Sequence, residues 1–329
     1  MPKKSQFKRI PEGVTSRVAR FAAKDRVFVL QPTVLVLATF ILLLASRFID
    51  VTLLNRDNEY YSVVILQMMI FLVPGIIWCI FSGEKYIKNL RLRPFGADSL
   101  ILILCSVLAM ISGTILIAVL FGGMDSLSSN FSLYDTFISK DDGTVPVKLY
   151  LVLAYAALPA LCEEFVYRGI LCNEFERGGV SRGIILSSLF FAMLHFNLSN
   201  FPIFFFCGAV LALTMYSSRS VFAAAVAHFL YNLFGLFGQP YMATLYSISG
   251  GSGLFLIVIT VVFITSAAVF CGESARLYRR YLYKSYSAEY RLPEAKNFAQ
   301  LRRLYIDPIT KPSVIACFVI YIIVIIFGL

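Results

Sequence analysis

The sequence predicts an all-α, polytopic membrane protein with about eight to nine transmembrane helices and a cytoplasmic N-terminus. The first observation behind this prediction is composition. Of 329 residues, 59% are hydrophobic and only 15% are charged, and the mean hydropathy is +0.78. Soluble domains are about 45–50% apolar, so a soluble globular class is excluded. Helices are expected because each one satisfies its backbone hydrogen bonds internally, as a lipid environment requires.

The second observation is a series of nine apolar runs. They lie at about 33–49, 62–81, 100–121, 149–172, 183–198, 201–216, 220–237, 253–271 and 313–328. Several are shorter than the roughly 20 residues that a straight span needs, so tilted or re-entrant segments leave eight spans as an alternative to nine. No small-residue cleavage site follows the first run, which therefore predicts an uncleaved span and not a signal peptide.

The third observation is the distribution of Lys and Arg. With the N-terminus in the cytoplasm and nine alternating spans, all but 4 of the 29 Lys and Arg residues fall on the inner side. The exceptions are Arg47, Arg56, Lys140 and Lys148. Basic residues accumulate in cytoplasmic loops, so this asymmetry supports the predicted orientation.

Charge and hydropathy divide the chain into four parts. Residues 1–30 form a basic cytoplasmic segment, and 31–145 contain three transmembrane helices. Residues 146–240 carry the buried polar groups, and 241–329 hold the C-terminal transmembrane helices with a basic cytoplasmic loop at 272–312. This loop is interpreted either as a contact with anionic lipid or as a plain topology anchor. The net charge of +10 reflects such loops, and no nucleic-acid partner is expected.

Charged and polar side chains inside apolar runs are costly, so each requires a reason. Both histidines of the chain lie inside such runs, within residues 146–240. The full set is Glu163, Glu164, Arg168, His195, His228 and Asn232. Hydrogen bonding between helices explains any one of these residues. For the whole set, concentrated in one third of the chain, we favour a functional site.

Helical spacing suggests different roles for the two acidic residues. Glu164 and Arg168 are four residues apart, about 40° around a helix, and are expected to pair. Glu163 and Arg168 are about 140° apart and are not expected to pair. Glu163 is therefore left as a candidate general base. Tyr167, one turn further on, is a candidate hydrogen-bond donor to Glu163.

The other two polar runs also show one-turn spacing. His228 and Asn232 are four residues apart, so both can point at one spot and donate to a developing oxyanion. Phe191 precedes His195 by one turn and is expected to form a wall of the site.

These three patterns, E-E-x-x-x-R, F-x-x-x-H and H-x-x-x-N, occur in this order on three separate apolar runs. Together they resemble the CPBP family, also called the Abi family. That family groups type II CAAX prenyl endopeptidases with bacteriocin-processing and bacteriocin-immunity proteins. The resemblance covers about residues 145–240 and identifies 146–240 as a catalytic core similar to CAAX proteases.

The resemblance implies intramembrane hydrolysis of peptide bonds. It assigns activation of the attacking water to Glu163 and His195. Stabilisation of the oxyanion would fall to His228 and Asn232. Glu164 and Arg168 would hold the other site residues in position.

No cofactor is favoured, but zinc stays open as an alternative. Glu163, His195 and His228 would supply two histidines and one carboxylate, a set that leaves a zinc coordination position free. Against zinc, the sequence contains no H-E-x-x-H, and using His228 as a ligand would remove a donor to the oxyanion.

Two other functions stay open beside an endopeptidase. One is a non-catalytic membrane scaffold or bacteriocin-immunity protein that retains the motif. The other is a proton-coupled transporter, which the absence of paired broken segments in two halves disfavours. For the endopeptidase we expect a membrane-embedded or lipid-anchored peptide or protein substrate. The expected location is the lipid bilayer of a bacterial cell membrane, as a multi-pass protein.

Overall fold

The computed structural model describes residues 31–46, 48, 64–123, 147–176, 179–249, 252–283 and 298–327. Across these ranges the regular structure is helical and includes no strand, which confirms the all-α class. The predicted basic segment 1–30, much of the loop 272–312 and most of the predicted outer loops lie outside the described residues.

We number the helices of the described ranges in chain order. They are α1 Pro32–Ser46, α2 Val64–Ser82, α3 Glu84–Lys88, α4 Ala97–Gly122, α5 Leu149–Phe175, α6 Val180–Leu194, α7 Phe201–Ser218, α8 Val221–Phe237, α9 Gln239–Ile248, α10 Ser252–Tyr283, α11 Phe298–Ile309 and α12 Pro312–Phe327. Helices α2, α4, α5, α7 and α10 are long and apolar enough to cross a membrane, and α1, α6, α8 and α12 are shorter apolar helices. These nine coincide with the nine apolar runs. The protein is a polytopic helical membrane protein.

The helices pack around two large apolar clusters, and a third, small cluster lies between α4 and α10. One cluster is built from α1, α2, α5, α6 and α12, and the other mainly from α4, α7, α8 and α10. Helix α5 contributes side chains to both clusters and packs directly against α8. Polar side chains on the facing sides of α5 and α8 are therefore surrounded by protein.

Helix α5 is not a uniform α-helix. Two π-helical turns, Val152–Ala157 and Phe165–Leu171, flank a short α-helical segment, Leu158–Glu164, that begins next to Pro159. Proline lacks a backbone N–H and interrupts the regular hydrogen-bond ladder, and π turns absorb such interruptions. A π turn also brings residues five apart closer to alignment. Angles computed at 100° per residue consequently do not hold from Phe165 onward.

The connection between α7 and α8 is held by the chain that precedes α4. The Val221 N–H donates to the carbonyl of Arg91 at 3.1 Å, and the Ser220 hydroxyl donates to the carbonyl of Arg93. The Arg91 guanidinium forms an ion pair of 2.9 Å with Glu176, directly after α5. These contacts fix the start of α8 relative to the end of α5.

Candidate active site

A buried carboxylate links α5 to α8. Glu164 Oε1 accepts a hydrogen bond of 2.8 Å from Arg168 Nη1 and lies 2.9 Å from His228 Nδ1. The side chains of Glu164 and Arg168 are both 0% exposed. The ion pair expected from the four-residue spacing is present. The contact with His228 joins two of the three polar patterns across the bundle.

Arg168 extends this centre to two further helices. Its Nη2 donates to the carbonyl of Gly208 on α7 at 3.0 Å. The guanidinium carbon lies 4.4 Å from the centre of the Phe191 ring on α6, a cation–π distance. A Cβ on Gly208 would come within 3.1 Å of the Ser188 backbone, so glycine permits the close approach of α6 and α7 here. Arg168 thus fixes the mutual positions of α5, α6 and α7.

His195 lies directly after the last residue of α6, where its ring is held on two sides. The ring stacks on Phe204 with a centroid distance of 3.8 Å and an angle of 14°, and meets the Phe191 ring at 5.0 Å. Its Nδ1 lies 2.9 Å from the carbonyl oxygen of Phe191. A carbonyl only accepts hydrogen bonds, so Nδ1 carries a proton. The lone pair of the neutral ring is then on Nε2, the nitrogen left to accept a proton.

The same reasoning applies to His228. Its Nδ1 lies 2.9 Å from Glu164 Oε1, a carboxylate oxygen that also accepts from Arg168, so Nδ1–H donates to that oxygen. A neutral His228 would then present an unprotonated Nε2. Only the imidazolium form donates from both ring nitrogens.

Glu163 is buried at 7% exposure beside this centre. Its charged neighbours are His228, Glu164 and Arg168. Among the described residues no hydrogen bond or ion pair engages the Glu163 carboxylate, and none joins it to His195. Glu163 is therefore close to the positive groups of the centre without being neutralised by direct contact.

The predicted hydrogen bond from Tyr167 to Glu163 is wrong. Among the described residues, no hydrogen bond joins the buried Tyr167 hydroxyl to Glu163. Its ring meets Phe191 edge-on at 5.5 Å and 83°. The Tyr167 ring therefore packs toward α6 and does not pair with the Glu163 carboxylate.

Asn232 lies one turn beyond His228 on α8 and faces a cavity of about 400 Å³. Its amide has no hydrogen-bond partner among the residues that the structure describes. Phe204, which stacks on His195, forms part of the same cavity wall. The sequence patterns gave no indication of this cavity or of Phe204, because the cavity walls come from four helices and most of its lining residues are ordinary apolar ones.

The proposed zinc ligands do not assemble into a metal site. In the described ranges, no group of three His, Cys, Asp or Glu side chains is placed to hold a metal ion. Nδ1 of His195 lies against a carbonyl oxygen and Nδ1 of His228 against Glu164, so Nε2 is the nitrogen of each ring that would be left for a metal.

Comparison with known proteins identifies this region of the chain. Residues 145–234 match the family model described as Type II CAAX prenyl endopeptidase Rce1-like. Over this range the chain is similar to that family. The match confirms the resemblance seen in the sequence, begins just before α5 and ends two residues after Asn232.

The matched range, residues 145–234, contains all six candidate site residues. Rce1-like proteins form a protease family, which supports a hydrolase function, and the apolar helices make the protein integral to a membrane. No curated protein and no solved structure matches the chain.

Proposed function

We propose that the protein is an intramembrane endopeptidase that hydrolyses peptide bonds in membrane-embedded or lipid-anchored peptides or proteins. The observation that carries this proposal is the buried contact of Glu164 with both Arg168 and His228, inside the range that matches the Rce1-like family. It brings the acidic pattern and the H-x-x-x-N pattern together around a cluster of charges that a purely structural bundle would avoid.

Glu163 and His195 are assigned to activation of the attacking water. His195 Nε2 accepts a hydrogen bond from the water, and the Glu163 carboxylate takes its proton as the oxygen attacks the carbonyl carbon. Glu163 then returns this proton to the amide nitrogen, which leaves as an amine when the C–N bond breaks. Burial of Glu163 without an ion pair leaves the carboxylate available for this exchange.

His228 and Asn232 are assigned to the oxyanion. As an imidazolium, His228 donates from Nε2, and the Asn232 amide donates from one turn further along α8. Glu164 and Arg168 act indirectly. Glu164 accepts from Nδ1 of His228 and fixes the orientation of its ring, and Arg168 balances the charge of Glu164. Removal of one oxyanion donor typically lowers kcat about 10²–10³-fold.

The test is cleavage of a quenched membrane-peptide library by the purified protein in detergent. Glu163→Gln should abolish cleavage while the protein still accumulates in the membrane. Glu174→Gln, on the same helix but outside the site, is the matched control and should retain cleavage. Equal activity of the wild type and Glu163→Gln would contradict the proposal.

A strong chelator distinguishes metal-free hydrolysis from metal-dependent hydrolysis. The donor arrangement predicts that chelation leaves cleavage unchanged, whereas a metal-dependent protease would lose it. A wild-type protein that cleaves no library member, and whose cellular effect survives Glu163→Gln, His195→Ala and His228→Ala, would be a non-catalytic scaffold or immunity protein. Flux driven by a pH gradient in liposomes would instead indicate a transporter.

A further inference from the structure

Several helix ends meet at one end of the bundle, around basic side chains. The Arg91 guanidinium, between α3 and α4, pairs with Glu176 after α5 at 2.9 Å and lies 5.3 Å from the centre of the Tyr216 ring near the end of α7. At the start of α4, the carbonyl of Asp98 accepts a hydrogen bond of 3.0 Å from Arg276 on α10. The starts of α4 and α8 and the ends of α5, α7 and α10 therefore lie together, and we call this the basic end.

The two ends of the bundle differ in their basic residues. The start of α6 belongs to the basic end, because the Gly179 N–H donates to the carbonyl of Glu176 at 2.7 Å. At the far ends of these helices and in α9, Lys148, directly before α5, is the one basic residue within the described ranges. Since basic residues accumulate on the cytoplasmic side, the basic end is cytoplasmic and the far end faces the outer side. Basic residues of the described ranges at the basic end include Lys85, Lys88, Arg91, Arg93, Arg182, Arg219, Arg276, Arg279 and Arg280.

The candidate active site lies far from the basic end. At roughly 1.5 Å per residue, Asn232 is about 17 Å along α8 from the start of that helix. His195, directly after the last residue of α6, is about 22 Å along that helix from its start. The hydrocarbon core of a bilayer is about 30 Å thick. Both side chains therefore lie on the outer side of its midplane.

Packed side chains separate the centre from the basic end. One turn beyond Arg168 on α5, the Cys172 thiol donates to the Ser187 hydroxyl of α6 at 3.1 Å, and both of these side chains are 0% exposed. The Tyr216 hydroxyl of α7 donates to the carbonyl of Cys172 at 3.2 Å. Arg91 then covers the Tyr216 ring. This packed layer closes the path from the cytoplasmic end to the centre.

On the other side, the centre adjoins an internal space. Asn232 is part of the wall of the cavity of about 400 Å³, and so is Phe204, on which His195 stacks. All its lining residues lie in the halves of α4, α5, α7 and α8 away from the basic end, or in the turn before α7. A peptide that comes from the outer end therefore reaches the Asn232 amide without displacing the packed layer.

We propose that the active site is reached from the outer side of the membrane and that its substrates are exported peptides or membrane-protein segments at the outer leaflet. The inference rests on the proposed endopeptidase function. Lipid-anchored proteins that stay in the cytoplasm are excluded, because their cleavage site would have to pass the packed layer of α5, α6 and α7. An exported peptide enters the outer half of the bilayer, at the depth of His195 and Asn232.

Thiol labelling of intact cells tests the orientation. Cys271 is the exposed native cysteine and the other six are buried, so Cys271→Ser provides a background of low reactivity. In this background a membrane-impermeant maleimide should label Leu198→Cys, in the exposed turn after α6, in intact cells. Lys88→Cys, an exposed position at the basic end, is the matched control and should be labelled only after permeabilisation. The opposite pattern would overturn the inference.

Sided membrane vesicles test the access of the substrate. Right-side-out and inside-out vesicles from the same cells receive quenched membrane peptides with a charged tail, which does not cross the bilayer core. Right-side-out vesicles should cleave the peptides, and inside-out vesicles should do so only after detergent opens them. Glu163→Gln vesicles should cleave nothing in either orientation. Cleavage by sealed inside-out vesicles at the same or a higher rate would overturn outer access and keep the protease.

Asn200→Cys separates failure of the access route from failure of the chemistry. Asn200 lines the cavity and has no assigned role in hydrolysis. In the Cys271→Ser background, the impermeant maleimide should label Asn200→Cys in right-side-out and not in inside-out vesicles. Such labelling without any cleavage, even in detergent, would overturn the protease and keep the outward opening of the site. Labelling only in inside-out vesicles, or only in detergent, would overturn the outward opening.

Discussion

Replacing Arg168 by Met tests whether the buried Glu164–Arg168 ion pair stabilises the helix bundle. The substitution keeps an unbranched side chain of similar reach but removes the guanidinium. Glu164, at 0% exposure, would then keep His228 as its one charged hydrogen-bond partner among the described residues. The carbonyl of Gly208 and the face of Phe191 would lose their contacts as well.

Two estimates of the loss in free energy of unfolding caused by Arg168→Met can be compared. If Arg168 contributed only two ordinary hydrogen bonds between membrane helices, at about 0.6 kcal/mol each, the loss would be near 1 kcal/mol. If its loss leaves an uncompensated buried charge, the cost is about 3–5 kcal/mol. Because Glu164 is fully buried, we expect the larger value. It is a large share of the roughly 5–15 kcal/mol that stabilises a typical protein.

A double-mutant cycle measured by unfolding in detergent distinguishes the two cases. Glu164→Gln combined with Arg168→Met removes both charges, so it should be less destabilising than Arg168→Met alone. Arg279→Met, an exposed arginine on α10, is the control and should change stability by less than about 0.5 kcal/mol. A double variant whose loss equals the sum of the two single losses would refute the charge-pair reasoning.

Three further predictions follow from packing. Phe204→Leu should lower kcat about tenfold with KM less affected, because His195 loses its stacking partner. Phe204→Tyr keeps an aromatic ring and should restore kcat. Equal kcat for both variants in peptide kinetics would contradict this role. Arg91→Met should lower the free energy of unfolding by about 1–3 kcal/mol, since it leaves Glu176 unpaired, and a melting temperature unchanged in detergent would count against it. Gly208→Ala should lower the free energy of unfolding by about 1–3 kcal/mol and reduce cleavage, because its Cβ would meet the Ser188 backbone at 3.1 Å. A variant with wild-type stability and activity would show that α6 and α7 can move apart without loss.

The helices and one ion pair could be predicted from local sequence. Membrane spans are encoded by uninterrupted apolar runs, so each of the nine runs corresponds to an apolar helix. The Glu164–Arg168 pair depends on a single four-residue step within one helix, and it forms although Arg168 lies in the π turn Phe165–Leu171.

Features that depend on irregular backbone or on distant segments could not be predicted in this way. The π turns of α5 are not visible in hydropathy, and the packing of Tyr167 against Phe191 on α6 cannot be predicted from spacing within α5. The contact between Glu164 and His228 spans 64 residues. The stacking of Phe204 on His195 requires a particular turn after α6, and the cavity requires four helices, so neither has a local sequence signal.

The position of Arg168 four residues after Glu164 also bears on how the protein enters the bilayer. Because both charges belong to α5, they can neutralise each other as soon as this helix forms, before α7 or α8 has inserted. Helix α5 therefore crosses the bilayer as a segment whose most costly charges are already paired. His228 joins the pair only when α8 docks, so the proposed active site is completed late in biogenesis, and a chain truncated before α8 would lack the two residues to which we assign oxyanion stabilisation.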